Sequence, residues 1–269
     1  MAGQRFGVAA AAEVRLSMPE VQAMRRVAFS GPCGSISPNV LKHMDEQTLA
    51  SLAALRIAIT KMKDSDSPDY FEKWAVLSSP RYLGRSSLRP TLARFHAEGA
   101  WGVSPHMIPH RSLHAISGTI SQFLRSHGPN HGVSGSPGHV AEGFLAAFTT
   151  LANLNLPGCW LTLSRIEPEL DSEESGSPHP DSTAEAIAVA LVPSSPTLAS
   201  LTWQLDTDFT RPSEDSFETL AKWLFMEPTV AVRSCFLPSL GSLILQDASQ
   251  PPSHSDMNPV NQQAGVAPR

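Results

Sequence analysis

Ser136 stands in the string Ser134-Gly135-Ser136-Pro137-Gly138, a turn of small residues ahead of an apolar run, where a strand-turn-helix elbow would present a hydroxyl. The Gly-x-Ser-x-Gly spacing of a hydrolase elbow is not there, because Gly135 directly precedes the serine and Ser134 takes the earlier position. Sequence order assigns it no acid or base partner, so Gly135, Ser136 and Pro137 read as filling a turn. Seven of the ten histidines lie between His96 and His139, and His106, His110 and His114 recur at intervals of four. On an uninterrupted helix that spacing sets imidazoles on one face for a metal. Pro109 interrupts it, no carboxylate flanks it and no His-Glu-x-x-His occurs, so packing or surface histidines are the favoured reading, and neither a metal nor another cofactor is expected. Cys33, Cys159 and Cys235 are odd in number, widely spaced and without a Cys-x-x-Cys pair, which reads as reduced thiols in a cytoplasm. The enzyme class left open by these residues is a hydrolase using Ser136 or a histidine-metal site.

Elements must hold these residues in place, and the chain has material for them. Its 269 residues, 41% apolar and 17% charged, suit a globular protein with a sizeable core. A formal charge of -5 without a basic block argues against nucleic acid. The run Phe6 to Ala12 is apolar, but Glu13 and Arg15 follow at once and leave no cleavage region of a signal peptide. Two uncharged stretches, Gly143 to Ser164 and Ala186 to Leu205, are long enough to span a bilayer but are broken by Pro157, Pro193 and Pro196, and read as buried globular elements.

Apolar spacing over Met44 to Lys61, with Asp45 in the first turn, predicts a helix. Trp74 to Ser78 reads as a strand, Arg85 to Gly99 as a basic helix, and Ser112 to Ser126 as a helix stopped by Gly128-Pro129. Val133 belongs to a short extended piece, and His139 to Leu154, apolar almost all round, reads as a central helix covered on several sides. Trp160 to Ile166 is a strand candidate, Pro168 to Thr183 an acidic loop, and Ala186 to Val192 with Leu198 to Leu205 a strand pair. Phe217 to Phe225 is a helix and Leu240 to Leu245 a strand. Interleaved helices and strands make the class α/β. Residues 1–30 read as an N-terminal extension, 31–246 as the domain and 247–269 as a disordered tail.

The string from His114 to Glu169 resembles the middle of a β-ketoacyl synthase, a thiolase-fold enzyme. It carries a helix with Gly118 and Ser121, the pair Gly128-Pro129, a strand around Val133, a nucleophile turn, a buried helix and a strand. Asp45 with the Leu49 to Leu55 helix resembles that family's first long helix, and Ala184 to Val192 its strand after the active-site loop. The resemblance implies a truncated thiolase-like α/β domain, a mixed sheet packed by helices. It also implies where the family's cysteine nucleophile would fall: at Pro137, or by a short shift at Ser136 or Gly135. None of these can form a thiolate. The Gly-Gly that precedes the family's glutamate is Ser164-Arg165 here, and the family's completing histidines belong to a second half not found in this sequence.

The resemblance further implies a catalytically silent, chain-length-factor-like accessory subunit. It would pair as a dimer with a catalytic ketosynthase, beside an acyl carrier protein, in fatty-acid or polyketide-type assembly. His114 would lie near the floor of the acyl cleft, the strand His131 to Gly135 with Val133 would pair across the dimer, and Phe123 and Leu124 would face the partner's acyl tunnel. Phe217 to Leu245 should pack back on the central helix or beside its sheet, because that helix left bare would expose too large an apolar patch.

Overall fold

The computed structural model describes residues 5–62, 69–104, 108–169, 179, 181–195, 198–204, 216–225, 232–238 and 241–246. Ten strands and eight helices occur among them. They are β1 (Arg5–Ser17), α1 (Met18–Met24), β2 (Phe29–Gly31), β3 (Gly34–Ile36), α2 (Pro38–Leu41), α3 (Glu46–Thr60), β4 (Ala75–Pro80), α4 (Arg85–Glu98), α5 (Ile108–Arg111) and α6 (His114–Leu124). Then come β5 (Asn130–Gly132), α7 (His139–Leu154), β6 (Cys159–Glu167), β7 (Thr183–Pro193), β8 (Ala199–Gln204), α8 (Ser216–Phe225), β9 (Val232–Leu237) and β10 (Gly241–Gln246). Eight strands form one mixed sheet in the order β5-β4-β6-β7-β1-β8-β10-β9, and β2 with β3 makes a separate hairpin. Strands β5, β4 and β6 run parallel, and every other pairing among the described residues is antiparallel.

The period of two along the strands divides the core into two layers. On one face β7 presents Ala184, Ala186, Ala188 and Ala190, and β1 presents Ala10 and Ala12. Against this floor of small side chains α3 sets its own Ala50, Ala54 and Ala58. Backbone therefore approaches backbone closely, and α3 is buried along most of its length, including Gln47, Thr48 and Ser51. Asp45 caps it by accepting from the Gln47 amide at 2.9 Å. Burial and the neighbouring Glu46 push this carboxyl up to about 6, although Arg111 and Arg25 pull the other way. The opposite face of the sheet carries Leu161, Leu163, Ile187, Val189 and Leu191, covered by α7 and α8.

Most expected elements are present within a few residues, and α7 has the expected bounds. Three readings need correction. Residues 1–30 are not an extension: β1 pairs with β7 along its whole length after Arg5 and with β8 at its start, so it lies inside the sheet. Its alanine-rich sequence is weakly apolar for a core strand because the alanines are fitted to α3. The strands read as a pair, β7 and β8, are not neighbours, since β1 runs between them. Helix α7 is also covered less fully than expected. A stripe from His139 to Leu151 is buried, whereas Leu145 and Leu154 are 41% and 51% exposed. The described parts of Phe217 to Leu245 do pack back: α8 contributes Phe217, Leu220 and Trp223 to the α7 layer, and β9 and β10 extend the sheet. Strand β9 has no counterpart among the expected elements. Most of the acidic loop and the tail at 247–269 lie outside the described residues.

Candidate functional site at the nucleophile turn

Parallel strands in an α/β sheet offer their carboxyl ends as the place for chemistry, because the helices that follow begin there. At that end β5 gives way to the turn Ser134–Gly138, and α7 begins at His139. The turn is tight, with Ser134 and Gly135 at φ +69° and +105°. A side chain on Gly135 would be strained there, and a Cβ would also meet Leu113. The Ser136 hydroxyl accepts from the Gly138 amide at 3.1 Å and donates to Glu142 Oε1 at 3.0 Å, with Ser134 Oγ at 3.4 Å. These partners include no imidazole, so the hydroxyl closes the turn that leads into α7 and ties it to Glu142. Pro137 is exposed on the outside of the turn.

Beneath the turn the space is filled. The buried His139 ring stacks on Phe217 of α8 at 6.0 Å, and the Arg165 guanidinium lies over that same phenyl ring, 4.6 Å from its centroid. Arg165, 1% exposed, donates through Nε to Glu185 at 2.7 Å and through a terminal nitrogen to Glu218 at 2.7 Å. Arg15 of β1 reaches the same Glu218 at 2.9 Å and Glu185 at 3.4 Å. A guanidinium at such depth persists only because two carboxylates hold it. The N-terminal end of α8 is thereby clamped over the carboxyl end of β6. Ser79 of β4 fixes the start of α7 from below by donating to the His139 carbonyl at 2.6 Å.

The sequence singles out Ser164-Arg165 as the departure from Gly-Gly without reaching its partners. A signal for them exists: Arg165 in Leu-Thr-Leu-Ser-Arg and Glu185 in Ala-Glu-Ala-Ile are charges set in apolar strands, and each demands a counter-charge.

The remaining candidates are scattered. His114 is exposed at the start of α6 and contacts Ser117 at 3.4 Å. Phe123 and Leu124 are 1% and 0% exposed in this chain's own core, where Phe123 packs edge-on against Phe29 under the β2–β3 hairpin. The expectation that they face a partner's tunnel is therefore corrected: the hairpin, whose Gly31 and Gly34 lie against Phe123, covers them. Val133 lies just past β5, half-buried, and its amide donates to the Ser78 carbonyl at 2.8 Å. Among the described residues no three histidines, cysteines or acids gather to hold a metal; His43 and His110 stack at 6.0 Å, and His106 lies outside the described residues. All three thiols are buried and unpaired, and burial pushes Cys33 up to about 11, Cys235 up to about 12 and Cys159 further. No described helix is long and apolar enough to cross a membrane.

A mixed sheet between helical layers, with a tight turn leading from an edge strand into a buried helix, is the α/β architecture of thiolase-like proteins. Solved structures with this fold include ketosynthases and their complexes. One is a ketosynthase in complex with its chain length factor from Xenorhabdus doucetiae, matched at 12% identity and TM-score 0.55 over 90% of this chain and 98% of that chain. A β-ketoacyl synthase from Burkholderia phymatum matches at 10% and 0.51, over 82% of this chain and 69% of that one. A complex of a type II polyketide acyl-carrier protein with its hexaketide-bound ketosynthase matches at 14% and 0.51, over 74% and 67%. At these identities the likeness is one of fold. No family model and no curated protein matches the sequence.

Proposed function

We propose that this chain is a catalytically silent, ketosynthase-like accessory subunit of the chain-length-factor kind. It pairs with an active ketosynthase that works with an acyl carrier protein in polyketide or fatty-acid assembly, in a cytoplasm that keeps its thiols reduced. The observation that carries this reading is the nucleophile turn. On this reading the turn between β5 and α7 offers Gly135, Ser136 and Pro137 where a thioester-forming enzyme needs a thiolate. The hydroxyl there is bonded to the Gly138 amide and to Glu142, and the space below is occupied by Phe217 and Arg165. The chain length factor and acyl-carrier protein in the fold's solved relatives support the choice of partners.

The test is the intact mass of the purified chain after incubation with an acyl-loaded carrier protein, alone and with a ketosynthase encoded beside it. The expected result is an acyl adduct on the ketosynthase and none on this chain. An acyl adduct on any residue of this chain overturns the reading. A Pro137→Cys variant should not acquire condensation activity, because a thiol alone supplies no base for the reaction.

A further inference from the structure

From Arg85 to Ser104 the chain makes an excursion whose described side chains join neither core layer. None of those on α4 is buried, and its apolar Leu88, Leu92 and Phe95 are 39%, 56% and 48% exposed. They recur at i, i+4 and i+7, one stripe of a helix. The short 3-10 turn that comes next, Gly99–Gly102, folds back on α4 and leaves Trp101 99% exposed. A hollow of about 580 Å³ opens between them, lined by Thr91, Arg94, Trp101 and Val103 among others. A 14-residue helix with Pro90 in its interior is marginal in water by itself, so this one needs a cover that the described residues do not provide.

The excursion is anchored beside the open edge of the sheet. Its first turn begins at Gly84, where a Cβ would meet the Arg111 carbonyl at 3.1 Å. Past α5, Leu113 lies against the edge strand, since a Cβ on Gly132 would collide with the Leu113 carbonyl and one on Gly135 would meet the Leu113 side chain. Leu113 is itself 36% exposed. Strand β5 is three residues long, and its Asn130 Oδ1 is buried without a hydrogen-bond partner. Pairing across three residues falls far short of the roughly 800 Å² per partner that a stable complex buries. The excursion is rooted beside that edge and offers further apolar surface.

We propose that residues 85–104 form an arm that lies on the partner ketosynthase, with Leu92, Phe95 and Trp101 buried against it in an interface that begins at β5. This rests on the accessory-subunit reading and adds to it the surface that does the holding. The occupant must offer a strand edge and an apolar surface side by side, which a thiolase-fold chain does and a lipid surface does not.

Trp101 reports on the arm directly, because in the free chain Trp74, Trp160 and Trp223 are buried and Trp203 is half-buried. The experiment compares the wild type, Leu92→Asp/Phe95→Asp and Trp101→Phe, each with a ketosynthase encoded beside this chain. Affinity is read by titration, and Trp101 exposure by the acrylamide quenching that the Trp101→Phe variant lacks. The charged variant should keep the free chain's circular dichroism and melting temperature, since both side chains are about half exposed and belong to neither core layer. Its affinity should fall at least tenfold, and in the wild-type complex Trp101 should become inaccessible to quencher. If the complex forms with unchanged affinity in the variant and Trp101 stays quenchable, the arm proposal is overturned while the accessory reading stands. If no complex forms with the wild type, both fail. Protection of Trp101 in the chain alone as its concentration rises overturns the choice of a ketosynthase in favour of a second copy. Protection on vesicles of phosphatidylcholine with phosphatidylglycerol overturns it in favour of a membrane surface.

Discussion

Arg165 concentrates the residue-scale physics of the site. Its guanidinium meets Glu185, which is 3% exposed, and Glu218, whose side chain is 29% exposed. Removing the cation leaves the buried Glu185 carboxylate with Arg15, at 3.4 Å and 47% exposed, and the Thr183 hydroxyl, also at 3.4 Å, to answer it. Breaking a buried pair from one side costs about 3–5 kcal/mol, whereas replacing both members by uncharged groups of similar size is often close to neutral. Arg165→Met is therefore expected to lower the unfolding free energy by about 3 kcal/mol, and Arg165→Met/Glu185→Gln to recover most of that loss. Urea denaturation of the two variants and the wild type checks it; equal losses in single and double variants would show that Arg165 stabilises through its packing on Phe217 and not through charge.

At the scale of elements, Gly143 shows how closely α7 lies on the sheet. A Cβ there would stand 2.8 Å from the Ser79 Cβ and 2.9 Å from a Leu163 methyl. Helix propensity alone favours alanine over glycine by about 1 kcal/mol. The strand atoms cannot yield as a long side chain could, so overpacking of about 1–3 kcal/mol should prevail. Gly143→Ala is expected to be net destabilised in urea, and a gain in stability would mean that α7 shifts outward at little cost. The same helix is legible in sequence, because sixteen residues from His139 to Leu154 carry a strong pattern, and so is α3 with its Asp45 cap. Strand β1 is not. Its alanines acquire meaning only against α3, which periodicity along one segment cannot reveal. The turn at Gly135 to Pro137 can be placed from small residues alone, but the clamp that fills the space beneath it joins residues 15, 165, 185 and 218, and no local pattern links them. Phe123 and Leu124 escape a sequence reading for a related reason, since the hairpin that covers them is contributed by residues 29–36.

At the scale of the whole molecule the eight-stranded sheet ends in two edges that differ in their protection. Strand β9 carries Arg233, whose guanidinium donates to the Trp223 carbonyl at 3.0 Å, and a charged residue on an edge discourages further pairing. Strand β5, Asn-His-Gly, carries no lysine or acid. Its backbone also shows which groups are left over. The Pro129 carbonyl accepts from the Val76 amide, and the Val133 amide donates to the Ser78 carbonyl, both at 2.8 Å. In a parallel ladder, residues that bond to one neighbour alternate with residues that point away from it. Positions 129, 131 and 133 thus face β4, and the amides of Asn130 and Gly132 face outward. Hydrogen exchange measured amide by amide should find His131 and Val133 protected in the free chain, and Asn130 and Gly132 exchanging rapidly. On forming the proposed complex, Asn130 and Gly132 should slow by at least about tenfold while their neighbours change little, an alternation that only strand pairing at this edge produces. Uniform slowing across 130–133 would instead mean that the partner covers the edge without bonding to it, and unchanged exchange at Asn130 and Gly132 in a demonstrated complex would place the interface elsewhere on the molecule.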